Sequence, residues 1–228
     1  EAEKLENPLL IKVEKYSELP VDKDAFKGNF PNIKNIKLCS PFIAYVRRKL
    51  YIHNLTHAVC AYLGALKQYT YIWEAIEDRE IQEIVYRAGN ESAKAINKLD
   101  KLPLNELIAH LEDLIQRYKN KRLGDQIARV AKDPIRKLSP GERLIGSAVY
   151  CLNAGIIPQS ISIGVAGALL YNGTDEESIK LKGIRESFGI DKIITEICKI
   201  SRDQLLYDLI KNSIQIVESI AKTKNYEG

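Results

Sequence analysis

The chain has no methionine among its 228 residues. A natural chain starts with one, so residue 1 is expected to be an interior point of a longer gene product. It has no CxxC pair either. Cys39, Cys60, Cys151 and Cys198 stand far apart in apolar or helical surroundings, which argues against a structural zinc site. A reducing compartment would keep them as thiols. No apolar run approaches the roughly 18–20 residues that cross a bilayer. The opening stretch, Glu1 to Asn7, is acidic and polar, unlike a signal peptide. A cytoplasmic protein with no membrane partner is expected. Histidine is scarce, with only His53, His57 and His110.

With 45% hydrophobic residues, the chain can bury a substantial core. Residues 8–13 read as one short strand. Residues 14–41 carry Pro20, Gly28, Pro31 and Pro41 and read as an irregular, extended arm. From Pro41 onward apolar residues recur at helical spacing. Helices are expected over 42–69, 72–99, 103–118, 123–138, about 140–153, 160–171, 175–188, 191–198 and 202–222. Ser40-Pro41 reads as a helix start, and Ser139 with Glu142 and Thr174 with Glu177 as capping boxes. Strand signals are too few for a sheet of its own, so the expected class is mainly α. No repeat or low-complexity linker occurs. Ile163-Gly164-Val165-Ala166-Gly167-Ala168 lacks the full G-x-G-x-x-G pattern and its βαβ context. It reads as close helix packing rather than a dinucleotide cradle.

Net charge is +4, too small to argue for nucleic acid. Its distribution says more. Residues 117–143 hold nine bases, Arg117, Lys119, Lys121, Arg122, Arg129, Lys132, Arg136, Lys137 and Arg143, against three acids, Asp125, Asp133 and Glu142. Such a run suits an anionic ligand. It reads either as a phosphate or polyol clamp, with Arg129, Lys137 and Arg136 as candidates, or as solvated helix faces. Tyr118 is the one aromatic residue within it, so base stacking on nucleic acid has little support.

Residues 47–57 place unusual chemistry on one helix. At about 100° per residue, with Lys49 at zero, His53 falls near 40°, His57 near 80° and Asn54 near 140°. One arc then carries an amine, two imidazoles and a carboxamide. That set suits alcohol–ketone interconversion without a metal. Removing hydride from a carbinol requires its hydroxyl proton to leave, and a neutral lysine can accept it. Burial and the charges of Arg47, Arg48 and the basic run would favour the neutral amine. Asn54 can donate to the developing alkoxide, and a histidine can orient the same oxygen. Equally, Lys49 can be a solvated charge, and His53 and His57 ordinary helix histidines.

The stretch Ala44-Tyr45-Val46-Arg47-Arg48-Lys49-Leu50-Tyr51-Ile52-His53-Asn54-Leu55-Thr56-His57-Ala58, with Ala61-Tyr62-Leu63-Gly64, resembles the signature of the polyol-specific long-chain dehydrogenases. That signature has a lysine, an asparagine five later and a histidine eight later, as Lys49, Asn54 and His57 stand here. Two further blocks resemble the family. One is Arg117-Tyr118-Lys119-Asn120 with Leu123, Asp125, Arg129-Val130 and 132–138. The other is Glu18-Leu19-Pro20-Val21-Asp22-Lys23 with 25–28. The resemblance implies Lys49 as general acid/base, Asn54 holding the reacting oxygen and His57 orienting substrate, with Arg129 and Lys137 in contact with it. His53 and Arg136 join them as substrate-binding candidates.

The resemblance further implies an N-terminal Rossmann domain that binds NAD and is absent from this chain. Residues 1–41 would then be the connection to it, and 42–228 the multi-helical C-terminal domain. Within the family the wording is nearest the members that act on a sugar-alcohol phosphate with NAD. A free polyol or a sugar acid is the alternative substrate. A helical binding module for an anionic partner is the remote alternative. Thr56 departs from the family, which usually has glycine there, and adds a side chain beside the catalytic turn.

Overall fold

The computed structural model describes residues 18–223. They divide into two compact units, one up to Tyr45 and one from Val46 onward. The strand expected at 8–13 lies outside the described residues.

In the first unit β1 (Leu19–Asp22) pairs in parallel with β2 (Ile36–Cys39), Leu19 opposite Ile36 and Asp22 opposite Cys39. Within the described part of the irregular arm expected over 14–41, this places two short paired strands. Leu19 N–H donates to the Asn35 carbonyl at 2.8 Å and Lys23 N–H to that of Cys39 at 3.1 Å. Amide direction alternates along a strand, so Pro20 lacks its N–H only on the outer edge, where no ladder bond is lost. Pro31 and Pro41 fall outside both strands. Asn35, at φ +69°, turns the chain into β2; asparagine tolerates that region. Ser40 does not cap the next helix. Its hydroxyl donates to Asp24 Oδ2 at 2.6 Å, and α1 (Phe42–Arg48) follows.

The second unit is helical, as its apolar periodicity requires, but several expected helices are broken. The 42–69 segment passes from α1 through a π-helical turn, Lys49–Asn54, into α2 (Leu55–Leu66). The 72–99 segment divides at Asp78 into α3 (Ile72–Glu77) and α4 (Arg79–Asp100). Asp78 is extended there, and its carboxylate caps α4 by accepting from Glu80 N at 3.0 Å and Ile81 N at 3.2 Å. After α5 (Leu104–Tyr118), the 123–138 segment is not one helix. A 3₁₀ turn (Lys121–Leu123), α6 (Ile127–Ala131) and α7 (Pro134–Lys137) are separated by Gly124 and Asp133, both at positive φ. Pro134 disfavours helical backbone at the residue before it.

The two expected capping boxes do not form. Ser139 Oγ donates back to the Ile135 carbonyl at 2.9 Å, and α8 (Ile145–Asn153) opens later. Asp175 rather than Thr174 caps α10 (Glu176–Phe188). Around α9 (Gln159–Leu170) lie α2, α4 and α12 (Leu205–Thr223), while α11 (Ile190–Glu196) packs on α10.

Helix α9 is buried from Ser160 to Leu169, so it forms the middle of the core. A Cβ at Gly164 would stand 2.4 Å from Val59 Cγ2. The glycine therefore sets the approach of α9 to α2, which is the packing expected for 163–168. α9 has no charged residue, and its ends are satisfied from other helices. Glu91 of α4 accepts from Ser160 N at 2.8 Å and Ile161 N at 3.1 Å. Arg185 of α10 donates to the Leu169 carbonyl at 2.6 Å and the Tyr171 carbonyl at 3.3 Å. A negative charge thus meets free amides and a positive charge meets free carbonyls, as the helix dipole favours. Burial pushes the Glu91 carboxyl above the usual carboxylate range, with the two amides pulling the other way. No helix among the described residues is long and apolar enough to cross a membrane.

Candidate active site

The first expected site residues stand on the π-helical turn, Lys49–Asn54. In an α-helix Asn54 would be rotated about 140° from Lys49. A π turn closes with bonds from residue i to i+5, so each residue turns less about the axis and Asn54 lies closer round to Lys49. The amine and the carboxamide therefore share one side of the turn more closely than α geometry allows. Lys49 is exposed and Asn54 half-buried. Among the described residues neither side chain has a hydrogen-bond or ion-pair partner. The turn is tied at Tyr51, whose hydroxyl donates to the Gly141 carbonyl at 3.3 Å. Arg47, expected to lend positive charge to Lys49, is paired instead. It donates to Asp100 Oδ1 at 2.5 Å and lies over the Tyr150 ring, whose hydroxyl also bonds Asp100.

His57 stands in the first turn of α2, and its Nε2 lies 2.8 Å from Asp125 Oδ2. Burial works against the charged form of Asp125. The His57 hydrogen bond and the Arg129 guanidinium outweigh it and hold the carboxyl below the usual range. An ionised carboxylate can only accept, so Nε2 carries the hydrogen. Arg129 Nε donates to the other oxygen, Oδ1, at 3.1 Å, and Arg129 Nη2 bonds the same atom.

Asp125 is placed by backbone. Ile72 N–H donates to its carbonyl at 2.9 Å, and Ile127 N–H to that of Thr70 at 2.9 Å. Gly64 permits this approach, because a Cβ there would stand 2.8 Å from Ile127 Cδ1.

Behind His57 lies Tyr118, stacked on the imidazole at 5.0 Å between centroids and 11° between planes. Its buried hydroxyl donates to the His53 carbonyl at 3.1 Å and lies 3.0 Å from Thr56 Oγ1. Burial raises the Tyr118 phenol above its ordinary range, so it keeps its hydrogen. Thr56 is fully buried and also donates to the Ile52 carbonyl at 2.7 Å. The side chain expected beside the catalytic turn therefore points into the core. His53 neighbours His57 at 6.3 Å between ring centroids. His110, which the sequence sets apart from this cluster, is close enough to feel it. Burial, then the charges of Arg48, His53 and Arg117, lower its pKa to about 4.

Arg136 and Lys137 stand on α7. Arg136 pairs with Asp133 at 3.4 Å and Glu142 at 3.6 Å. Lys137 is only 4% exposed, and no hydrogen bond or ion pair holds its amine among the described residues. Burial first, then the charges of Arg143 and Arg136, lower its pKa to about 8 against the opposing pull of Asp133 and Asp175. Much of the remaining basic run is matched by acids: Arg117 with Asp113, Lys121 with Glu77 and Arg143 with Glu142.

The structure thus joins His57, Arg129 and, beside them, His53, with Lys49 and Asn54 on the preceding turn. It groups Arg136 with Lys137. Sequence reasoning missed Asp125, Tyr118 and the inward path of Thr56. One signal was present: Asp125 is an acid kept inside a run of nine bases.

Comparison with known proteins gives a consistent picture. The family profile of the mannitol dehydrogenase C-terminal domain matches residues 42–221. Mannitol-1-phosphate 5-dehydrogenase of Thermoanaerobacter pseudethanolicus is 34% identical over 96% of this chain and 57% of its own length. The same-named protein of Clostridium acetobutylicum is 34% identical over 90% of this chain and 53% of its own. The chain spans about half the length of the curated relatives it matches. Among solved structures, Pseudomonas fluorescens mannitol 2-dehydrogenase in ternary complex with NAD and D-mannitol superposes with a TM-score of 0.61. It is 15% identical, covering 86% of this chain and 43% of that one. A substrate-free D-sorbitol dehydrogenase also gives 0.61 at 19% identity, covering 83% and 41%. At these identities the two structures speak for the fold.

Proposed function

The chain belongs to the mannitol dehydrogenase family through its C-terminal domain, and on that premise we propose that it supplies the substrate-binding and proton-transfer half of a cytoplasmic, NAD-dependent polyol-phosphate dehydrogenase. The proposed reaction interconverts mannitol 1-phosphate and fructose 6-phosphate. The observation that carries it is the Lys49–Asn54 turn running directly into the helix that presents His57. One short stretch thereby offers a base, an amide donor and an imidazole.

The described residues do not fit the nucleotide. Gly164 and Gly167, the glycines of its small apolar segment, are buried against α2, and no strand–glycine turn–helix cradle occurs among them. A nicotinamide cofactor supplies hydride exchange at the carbinol carbon, and in this reading a Rossmann domain elsewhere in the same protein holds it. What this chain contributes is acid–base chemistry and grip. Lys49 Nζ, when neutral, accepts the hydroxyl proton, and when protonated it returns one to the carbonyl oxygen. Asn54 donates to that oxygen as it gains charge. His57 orients a neighbouring hydroxyl, with His53 beside it. Arg129, Arg136 and Lys137 hold the remaining hydroxyls and the phosphate. The burial of Lys137 next to Arg136 and Arg143, with no acid in contact, supports an anionic ligand there.

A second reading keeps Lys49, Asn54 and His57 and changes the substrate to a free polyol such as mannitol, or a sugar acid. The matching of Arg136, Lys121 and Arg143 by nearby acids favours it, since paired charges need no phosphate. The deciding experiment uses the full-length protein containing this chain. NADH-dependent reduction of fructose 6-phosphate and of fructose is compared at equal concentration. A large preference for the phosphate is expected. A preference for fructose would transfer the assignment to free polyols, and turnover of neither would move it to sugar acids.

A further inference from the structure

We propose that Asp125 is a positioning residue for the reaction: it fixes the hydrogen of His57 on Nε2 and locks the ring plane, so that Nδ1 is the nitrogen offered to a substrate hydroxyl. The inference rests on the reading of His57 as a substrate-orienting group.

Three contacts define the device. Asp125 Oδ2 takes the Nε2 hydrogen at 2.8 Å. Asp125 Oδ1 is held by Arg129, so the carboxylate cannot swing away without breaking a second bond. Tyr118 covers one face of the imidazole at 5.0 Å, nearly parallel. An imidazole held at one edge and one face has lost its rotation about the Cβ–Cγ bond. A neutral imidazole with hydrogen on Nε2 has its lone pair on Nδ1. In that form His57 accepts a hydrogen bond from the substrate rather than donating one. The carboxylate is itself fixed by backbone, through the Ile72 N–H to Asp125 carbonyl bond and the facing Ile127 to Thr70 bond. The groups facing the pair are Arg129 from α6, Tyr118 from α5, Cys60 from α2 and His53 from the π turn. Arg129 thereby acquires a role in holding the dyad in addition to any contact with substrate.

Outer partners of metal-bound histidines change affinity or activity by about 10- to 100-fold when removed, and the same scale is taken for this hydrogen-bonded imidazole. In the full-length protein, Asp125→Ala is expected to lower kcat on the order of 10- to 100-fold while KM moves much less. Asp125→Asn keeps an oxygen that can accept from Nε2 and is expected to recover most of the loss. The Asp125→Ala, His57→Ala double variant is expected to be no slower than His57→Ala alone, because both changes remove one unit. Unchanged kcat in Asp125→Ala, or a double variant that loses the product of the two single effects, would overturn the proposal.

A second measurement is independent of turnover. In the full-length protein the His57 signal can be assigned by single replacement, and a 15N–1H correlation should show a His57 Nε2–H protected from exchange. That signal should vanish in Asp125→Ala and persist in Asp125→Asn. If it is unaltered in Asp125→Ala, the dyad is not what holds the ring. Should the full-length protein turn over no polyol at all, the functional reading falls, and the imidazole signal still decides whether Asp125 governs His57.

Discussion

Glu91 reaches across 69 residues of sequence to accept the Ser160 amide at 2.8 Å, capping a helix to which it does not belong. Removing the carboxylate leaves the Ser160 and Ile161 amides without a partner in a buried setting. Glu91→Ala is expected to destabilise the chain by about 1–2 kcal/mol. Glu91→Gln, which keeps an acceptor, should cost less. Urea unfolding of the three proteins checks this through the shift in midpoint at constant slope.

Lys137 gives a pH dependence with a definite sign. Its pKa is lowered from 10.5 to about 8. Below pH 8 folded and unfolded chains both hold the proton, and the burial penalty stands in full. Between about 8 and 10.5 the folded chain has lost the proton and the unfolded chain has kept it, so stability rises with pH. Lys137→Met keeps the bulk and removes the charge. It is expected to stabilise the fold at pH 7 by up to about 3 kcal/mol, an advantage that shrinks as pH approaches 10.5. Denaturant titrations at pH 7 and pH 10 measure both ends, and the same variant should bind the proposed anionic substrate more weakly.

Lys49→Ala in the full-length protein tests the proton acceptor. Loss of a positioned general acid/base costs about 10²- to 10⁴-fold, and the fall should appear in oxidation and reduction alike. Steady-state rates in both directions decide it. Near-normal turnover would remove Lys49 from the chemistry.

Thr56 separates fold from substrate fit. Its hydroxyl is buried between the Ile52 carbonyl and Tyr118, so Thr56→Val should cost about 0.5–1.5 kcal/mol by removing these bonds, while the phenol keeps the His53 carbonyl. KM for the polyol should stay close to that of the parent. A large KM change with unaltered stability would place Thr56 at the substrate after all.

The helical class was legible because apolar residues recur at 3.6 spacing along α4 and α5, and the Lys49, Asn54 and His57 spacing marked the site. The π turn was not legible. Nothing in Lys49-Leu50-Tyr51-Ile52-His53-Asn54 distinguishes it locally from an α-helix, since the choice is made by packing. Asp125 was hidden for another reason. Its role depends on a bond to a histidine 68 residues earlier, a contact no local pattern encodes. The break at Asp133 was readable, because Pro134 follows it, yet the apolar spacing of Ile127, Val130 and Ile135 masked it. Ser139 and Glu142 fit a capping pattern whose residues found other partners: Ser139 the Ile135 carbonyl, and Glu142 the guanidinium groups of Arg136 and Arg143.

A π turn holds one residue more than the α turn it replaces, and each residue advances a helix by about 100°. The extra residue is taken up within Lys49–Asn54, ahead of α2. Deleting any single residue between Lys49 and Asn54 would leave almost all of the chain's side chains in place. It would close the turn to α geometry, with His57 still held on Asp125 and Tyr118 by the buried face of α2. The length of the turn sets how Lys49 and Asn54 meet, and the packing of α2 sets the dyad.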